Sequence, residues 1–257
     1  MAEANLVIIR HGRSEWNNER RMTGWSDVQL NPRGRREARE AGRILRGAGY
    51  RFDLAFTSWL QRAEETLAIV LNELGQADLP VERSWRLNER HYGAMQGMSR
   101  DEAKQRYGLE QFKAWQTGYV HRPPAVAESD SRFPGNDPRY AELPSSVLPR
   151  AESMQDTLQR VMPCWEEEIA PALRSGKRVL VVGHKTTVRV LRKQLEDISD
   201  TDISKMLVLT GAPMAYRLDP DLRVLWQKSL NPVGLVKRLA LDALALWAER
   251  TDSKRAV

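Results

Sequence analysis

Short apolar runs, each closed by turn-forming or charged residues, alternate along the chain with longer stretches of helical pattern. Leu6–Ile9 stops at Arg10-His11-Gly12, Asp53–Phe56 at Thr57-Ser58, Val179–Val182 at Gly183-His184, and Met214–Leu218 at the turn Asp219-Pro220. Gly34–Arg46, Gln61–Leu74 and Met154–Leu173 have helical length. Strands alternating with helices predict an α/β fold, a mostly parallel central sheet with helices on both faces. Strands that are apolar throughout suit a sheet buried on both sides.

One segment breaks the rhythm. Residues 123 to 149 carry six of the 13 prolines, at 123, 124, 134, 138, 144 and 149. An irregular stretch of that length is expected to be a lid or disordered, here an insertion spanning about residues 120–150. No linker splits the chain, so residues 1–230 read as a single domain and 231–257 as a C-terminal tail. In that tail Val233–Trp247 is strongly apolar, with Lys237, Arg238 and Asp242 as a polar stripe at helical spacing. It is expected to pack as a helix on the body or on a partner subunit, the latter making a homodimer.

Composition narrows the class. The 257 residues are 29% charged and 41% hydrophobic, which excludes collagen-like, coiled-coil and wholly disordered chains. No apolar run reaches the ~18 residues that span a bilayer, and Leu6–Ile9 is too short for a signal peptide. A single cysteine, Cys164, fits a reducing compartment, so a cytoplasmic protein with no membrane partner is expected. The net charge is +6, but the basic residues are dispersed among acids, as on solvated helix faces. Nucleic acid is therefore not the expected partner; a small phosphorylated substrate is.

The candidate chemistry lies at the strand ends, where open α/β sheets place their binding crevice. His11 and His184 each end an apolar run beside a glycine, with Arg10 and Lys185 as basic neighbours. Imidazoles among cations suit a phosphoryl group better than a core. Arg62 falls in the first turn of a helix, where free N–H groups favour anions and a guanidinium fork matches phosphate oxygens. Taken alone it equally suits a surface pair with Glu65. Glu89, in Leu87-Asn88-Glu89-Arg90-His91-Tyr92-Gly93, has the chemistry of an acid/base; taken alone it equally suits a salt bridge to Arg86 or Arg90. The four histidines and one cysteine have no metal-ligand spacing, and phosphate-loop, dinucleotide and serine-hydrolase motifs are absent.

These residues resemble a known family. Arg10-His11-Gly12-Arg13-Ser14-Glu15-Trp16-Asn17 is similar to the opening motif of the histidine phosphatase superfamily, and specifically of its cofactor-dependent phosphoglycerate mutases. The likeness runs on through Thr23–Leu30, Thr57-Ser58 with Arg62, Leu87–Gly97, Phe133–Tyr140, Glu152-Ser153 and Gly211-Ala212-Pro213, so that it covers about residues 5–230. It implies a phosphoglycerate-mutase-like three-layer α/β/α fold and interconversion of 2- and 3-phosphoglycerate, with 2,3-bisphosphoglycerate as phosphoryl donor and no metal. It implies His11 as the nucleophile, Arg10, Arg62 and His184 holding the phosphoryl group with a hydrogen bond from Asn17, Glu89 as acid/base, and Thr23, Gly24 and Tyr92 lining the substrate site.

The chain departs from that pattern at the mouth. The family acid after Arg-His-Gly is Arg13, its His-Gly-Asn is His184-Lys185-Thr186, a lysine is Arg100, and an arginine pair that grips the distal phosphate is Gln116-Thr117. Positive charge thus moves from the distal end toward the phosphohistidine end. A phosphatase, or a mutase of a different phosphorylated acid, is the alternative expectation.

Overall fold

The computed structural model describes residues 5–231; the expected C-terminal helix and its Lys237-Arg238 pair lie outside them. Six strands form one sheet in the order β3-β2-β4-β1-β5-β6: β1 (Leu6–Arg10), β2 (Leu54–Thr57), β3 (Val81–Arg83), β4 (Val179–Gly183), β5 (Met214–Leu218) and β6 (Val224–Ser229). The first four are mutually parallel; β5 runs antiparallel to β1, and β6 antiparallel to β5.

The apolar strands are sealed on both faces, as their pattern requires. Leu6, Ile8, Leu54, Phe56, Val179 and Val181 point into one core with Met154, Val161, Val188 and Leu191. Their sequence neighbours Val7, Ile9, Ala55, Leu180 and Val182 point into the other, with Ala41, Leu45, Leu67 and Val70. Each such buried aliphatic side chain contributes roughly 1.5–3 kcal/mol. The first core is closed by α6 (Met154–Cys164) and α8 (Lys185–Glu196), the second by α2 (Pro32–Gly47) and α3 (Gln61–Leu74).

Local chemistry starts and stops these helices. Asn31 caps α2 by accepting from Gly34 N, with Pro32 at the first helical position. Gly75 ends α3 in the left-handed conformation. Ser153 and Asp156 form a reciprocal capping box on α6. The expected helix Met154–Leu173 is continuous but widens into a π turn over Trp165–Ile169 before α7 (Ala170–Arg174). Pro163 and Pro171, neither with an N–H to donate, bracket the turn.

The proline-rich stretch is an ordered cap built from short 3₁₀ turns at Pro134–Asn136, Pro138–Tyr140 and Ser145–Val147. Val126, Phe133, Tyr140 and Leu148 anchor it on Trp25 and Trp85 in a third core. A fourth joins Met22, Met95, Ala103, Phe112 and Trp115 beneath α4 (Arg100–Tyr107) and α5 (Leu109–Thr117). None of the helices among the described residues is long and apolar enough to cross a membrane.

Candidate active site

Strand register brings the two histidines together. β1 and β4 are neighbours with Arg10 opposite Gly183, so each strand's next residue is a histidine at the same rim. The pairing continues one step further, as His11 N donates to Gly183 O at 2.8 Å. On the other side of β4, Thr57 lies opposite Val182, which sets Ser58 beside His184. The rings of His11 and His184 are 5.0 Å apart.

Each imidazole is fixed by one nitrogen. His11 Nδ1 lies 2.6 Å from Gly12 O. A carbonyl only accepts, so Nδ1 carries the proton and Nε2 keeps its lone pair. Gly12 is needed for this turn: a Cβ there would stand 2.3 Å from Gly34 O, so β1's exit and the start of α2 touch backbone to backbone. Gly12 N in turn donates to Thr66 Oγ1. His184 Nε2 lies 2.7 Å from Ser58 Oγ. Ser58 Oγ already accepts from Leu60 N, which leaves its hydrogen to be directed at Nε2; Nδ1 then carries the ring proton and is buried with no protein partner.

Burial first, then the guanidinium groups of Arg62 and Arg10, hold His11 well below the ordinary imidazole range. Burial first, then Arg62, His11 and Arg10, does the same to His184. Both rings are therefore neutral at pH 7. Arg62 is 1% exposed and does not pair with Glu65, which binds Arg35 instead. Its guanidinium donates to Ser26 O and Gly24 O. Burial lowers its pKa to about 10, which leaves it charged. The first turn of α3 receives its anion from the protein, since Asp27 Oδ1 accepts from Gln61 N. Arg10 donates to Val208 O.

Polar atoms of several expected site residues are buried without a partner among the described residues: Arg10 Nε, Arg62 Nε, Arg90 Nε, His184 Nδ1 and Thr23 Oγ1. Buried polar groups are ordinarily satisfied, and the Arg10, Arg62 and His184 atoms among these belong to side chains next to His11, an arrangement suited to an anion with several oxygens.

Glu89 forms no salt bridge with Arg86 or Arg90. It is buried, and its Oε1 accepts from Arg90 N at 2.9 Å and Thr186 N at 3.0 Å, the latter in the first turn of α8. Both Arg10 and Arg62 feel its charge. The loop that carries it is held by Arg160, a residue without any signal in the sequence. Arg160 forms a buried ion pair with Glu152 and donates to the carbonyls of Arg86, Asn88 and Glu89.

The remaining expected site residues lie on several elements. Asn17 sits in the short helix α1 (Glu15–Asn18), where its side-chain oxygen accepts from Ser14 N and its NH2 group is left to donate elsewhere. Gly24 has φ +54, and a Cβ there would strike Gln96 Oε1 at 2.0 Å. Tyr92 lies under Arg90 at 4.7 Å and interacts with Arg10. Lys185, the first residue of α8, is near Arg189, Arg10 and Arg100. Gln116 and Thr117 end α5; Gln116 is half-buried, Thr117 is exposed, and the Thr117 hydroxyl donates back to Lys113 O. That helix end connects to the site through Arg90, which donates to Trp115 O. Among the described residues no group of three or more His, Cys, Asp or Glu side chains is arranged to hold a metal ion.

Known structures share this arrangement of strands. A mycobacterial glucosyl-3-phosphoglycerate phosphatase superposes with a TM-score of 0.64 at 21% identity, over 88% of this chain and 96% of its own. YhfR of Bacillus stearothermophilus gives 0.65 at 24%, over 85% and 93%. The alpha-ribazole phosphatase of Shigella flexneri gives 0.63 at 22%, over 85% and 92%. The family model described as histidine phosphatase superfamily (branch 1) matches residues 6–135 and 125–224. With the strand-end histidines, the unpartnered arginines and this match together, the chain belongs to the histidine phosphatase superfamily, branch 1.

Proposed function

We propose that the chain is a phosphomonoester hydrolase that works through a phosphohistidine on His11. The observation that carries the reading is that Arg10, Arg62 and His184 each keep a buried, unpartnered nitrogen beside an imidazole whose Nε2 is free to attack.

In the first step His11 Nε2 forms a bond to phosphorus as the bond from phosphorus to the ester oxygen breaks. Glu89 gives its proton to the departing oxygen. Arg10, Arg62, His184 and Thr23 meet the charge spread over the three equatorial oxygens, with Asn17 and the Gly24 segment beside them. In the second step Glu89 takes a proton from water, the water oxygen bonds to phosphorus, and the N–P bond breaks. One hard displacement becomes two easier ones.

Hydrolysis is favoured over a mutase cycle by the far end of the site. A mutase must grip its bisphosphorylated intermediate, 2,3-bisphosphoglycerate in the resembling family, by the phosphate that is not reacting. Here Gln116 and Thr117 are uncharged, and Thr117 is turned to its own helix. Each charged hydrogen bond missing there is worth roughly 1.5–3 kcal/mol. Phosphatases among the structural relatives agree with this reading. The resemblance of the Leu87–Gly97 stretch to mutases is what favours interconversion of 2- and 3-phosphoglycerate as the second reading.

Rapid quenching with a labelled phosphomonoester tests the mechanism. Acid-labile, base-stable label is expected on His11 and absent in His11→Ala; label on another residue, or on none, overturns it. Comparing phosphate release with 2-phosphoglycerate formation from 3-phosphoglycerate separates the hydrolase from the mutase.

A further inference from the structure

Between α8 and β5 the chain has one short 3₁₀ turn, Ile203–Lys205, and no other helix or strand. Irregular backbone of this kind makes few ladder bonds, so its carbonyls must find other donors. Ile203 and Val208 sink into the first core and anchor the segment at two points. Its other hold is Arg189, on α8. Arg189 Nη2 donates to Ser204 O and Met206 O at 2.8 Å each, and Nε donates to Met206 O at 3.2 Å. The residue is 8% exposed and has no ion pair among the described residues. A buried guanidinium is costly, and here all its hydrogen bonds go to the carbonyls of this one segment.

The same segment ends on the strand that carries His11. Thr210 bridges Arg10 in parallel register, and Gly211 N donates to Arg10 O at 2.9 Å. Between the clamp and this bridge, Val208 O accepts from Arg10 Nη1 at 3.0 Å. Nη1 lies on the Cδ side of the guanidinium, so the opposite edge, Nε with Nη2, is left without a hydrogen bond among the described residues. That edge is the fork that matches two oxygens of an anion. Its direction is decided by Val208 O, and Val208 follows the clamped Met206 by two residues.

Resting on the phosphohistidine reading above, we infer that Arg189 is a positioning residue for phosphoryl transfer. It holds Ser204 and Met206 so that Val208 O presents the Nε–Nη2 edge of Arg10 to the phosphoryl oxygens, and it touches no reacting atom itself. The apolar anchors do not suffice for this. Burial of Ile203 and Val208 is non-directional, fixing the depth of the segment but not the way its peptide planes face. Hydrogen bonds are directional, and those from Arg189 set the carbonyls just ahead of Val208.

A double-mutant cycle tests the assignment, read on orthovanadate, an oxyanion that binds without turnover. Arg189→Met is expected to weaken vanadate binding by about tenfold, one decade of affinity, and to slow His11 phosphorylation. Arg10→Met weakens vanadate further. In the Arg10→Met background, adding Arg189→Met is expected to cost less than about twofold, because residues that act through one another are not additive. Losses that multiply in the double variant overturn the inference, since an effect of Arg189 through its charge or the fold would persist without Arg10. Unchanged vanadate affinity in Arg189→Met overturns it as well. Arg189→Lys, whose single ammonium replaces a fork that spans both carbonyls, runs the same cycle if the methionine protein does not fold. Turnover is read separately: coupled losses in a protein that releases phosphate from no ester reject the hydrolase and keep the positioning role, and multiplying losses in an active hydrolase do the reverse.

Discussion

His11 and His184 stand 5.0 Å apart with their planes inclined by 58°, each tethered through a different ring nitrogen, Nδ1 to Gly12 O and Nε2 to Ser58 Oγ. One is thereby a lone-pair donor and the other an N–H donor, although the two side chains are chemically identical. Ser58→Ala removes the tether on His184. Phosphorylation of His11 is expected to slow by roughly 10²-fold, the loss typical of one donor to a developing charge. Single-turnover kinetics checks this; an unchanged rate means that Ser58 does not orient the ring.

Stability is expected to fall with acid earlier than carboxylate titration alone requires. His11, His91 and His184 are all held neutral by burial, and the His91 pKa is brought down to about 4. Below about 6.5 the unfolded chain binds protons on these rings that the folded chain does not, so stability rises with pH in that window and is lost as pH falls. His91 alone accounts for about 3 kcal/mol between pH 6.5 and 4. Urea unfolding at pH 7 and pH 5 measures the slope, and His91→Gln is expected to flatten it.

The Arg160–Glu152 pair is predicted to govern Glu89 as well as stability. Arg160→Met leaves Glu152 buried and unpaired at a cost of about 3–5 kcal/mol, and frees the carbonyls of Arg86, Asn88 and Glu89. Below the unfolding transition, kcat is expected to drop well over tenfold while KM changes little, because the acid/base loses its register and the phosphate donors do not. A rise in KM with kcat unchanged would place the effect on binding instead.

Gly12→Ala is predicted to be among the most damaging single-methyl additions. The new Cβ would meet Gly34 O, part of a backbone with no room to retreat. Opening that contact moves Gly12 O away from His11 Nδ1 and Gly12 N away from Thr66. Loss of 2 kcal/mol or more is expected by overpacking, together with loss of His11 phosphorylation. A folded, active Gly12→Ala protein would show that the turn adapts.

Much of this was legible in the residues. Apolar runs that end abruptly at His11 and His184 give both the buried parallel strands and the rim on which the histidines meet, because a parallel register fixes where neighbouring strands stop. Met214–Leu218 and Gln61–Leu74 coincide with β5 and α3. The helix α8 left no signal, since His184 occupies its N-cap without a side-chain hydrogen bond. The edge strand β6 is half exposed and reads as polar. Ser58 was visible only within a motif, its partner being 126 residues away. Arg160 looks like any polar helix residue until the fold turns it inward.

The proline-rich cap stands on an aromatic nucleus of Trp25, Trp85, Phe133 and Tyr140. That nucleus grips the Glu89 loop itself, since Trp25 Nε1 donates to Glu89 O and Asn88 Nδ2 donates to Tyr140 Oη. A substitution that shifts the cap therefore carries through to the carboxyl beside the histidines, so the cover and the machinery beneath it must change together.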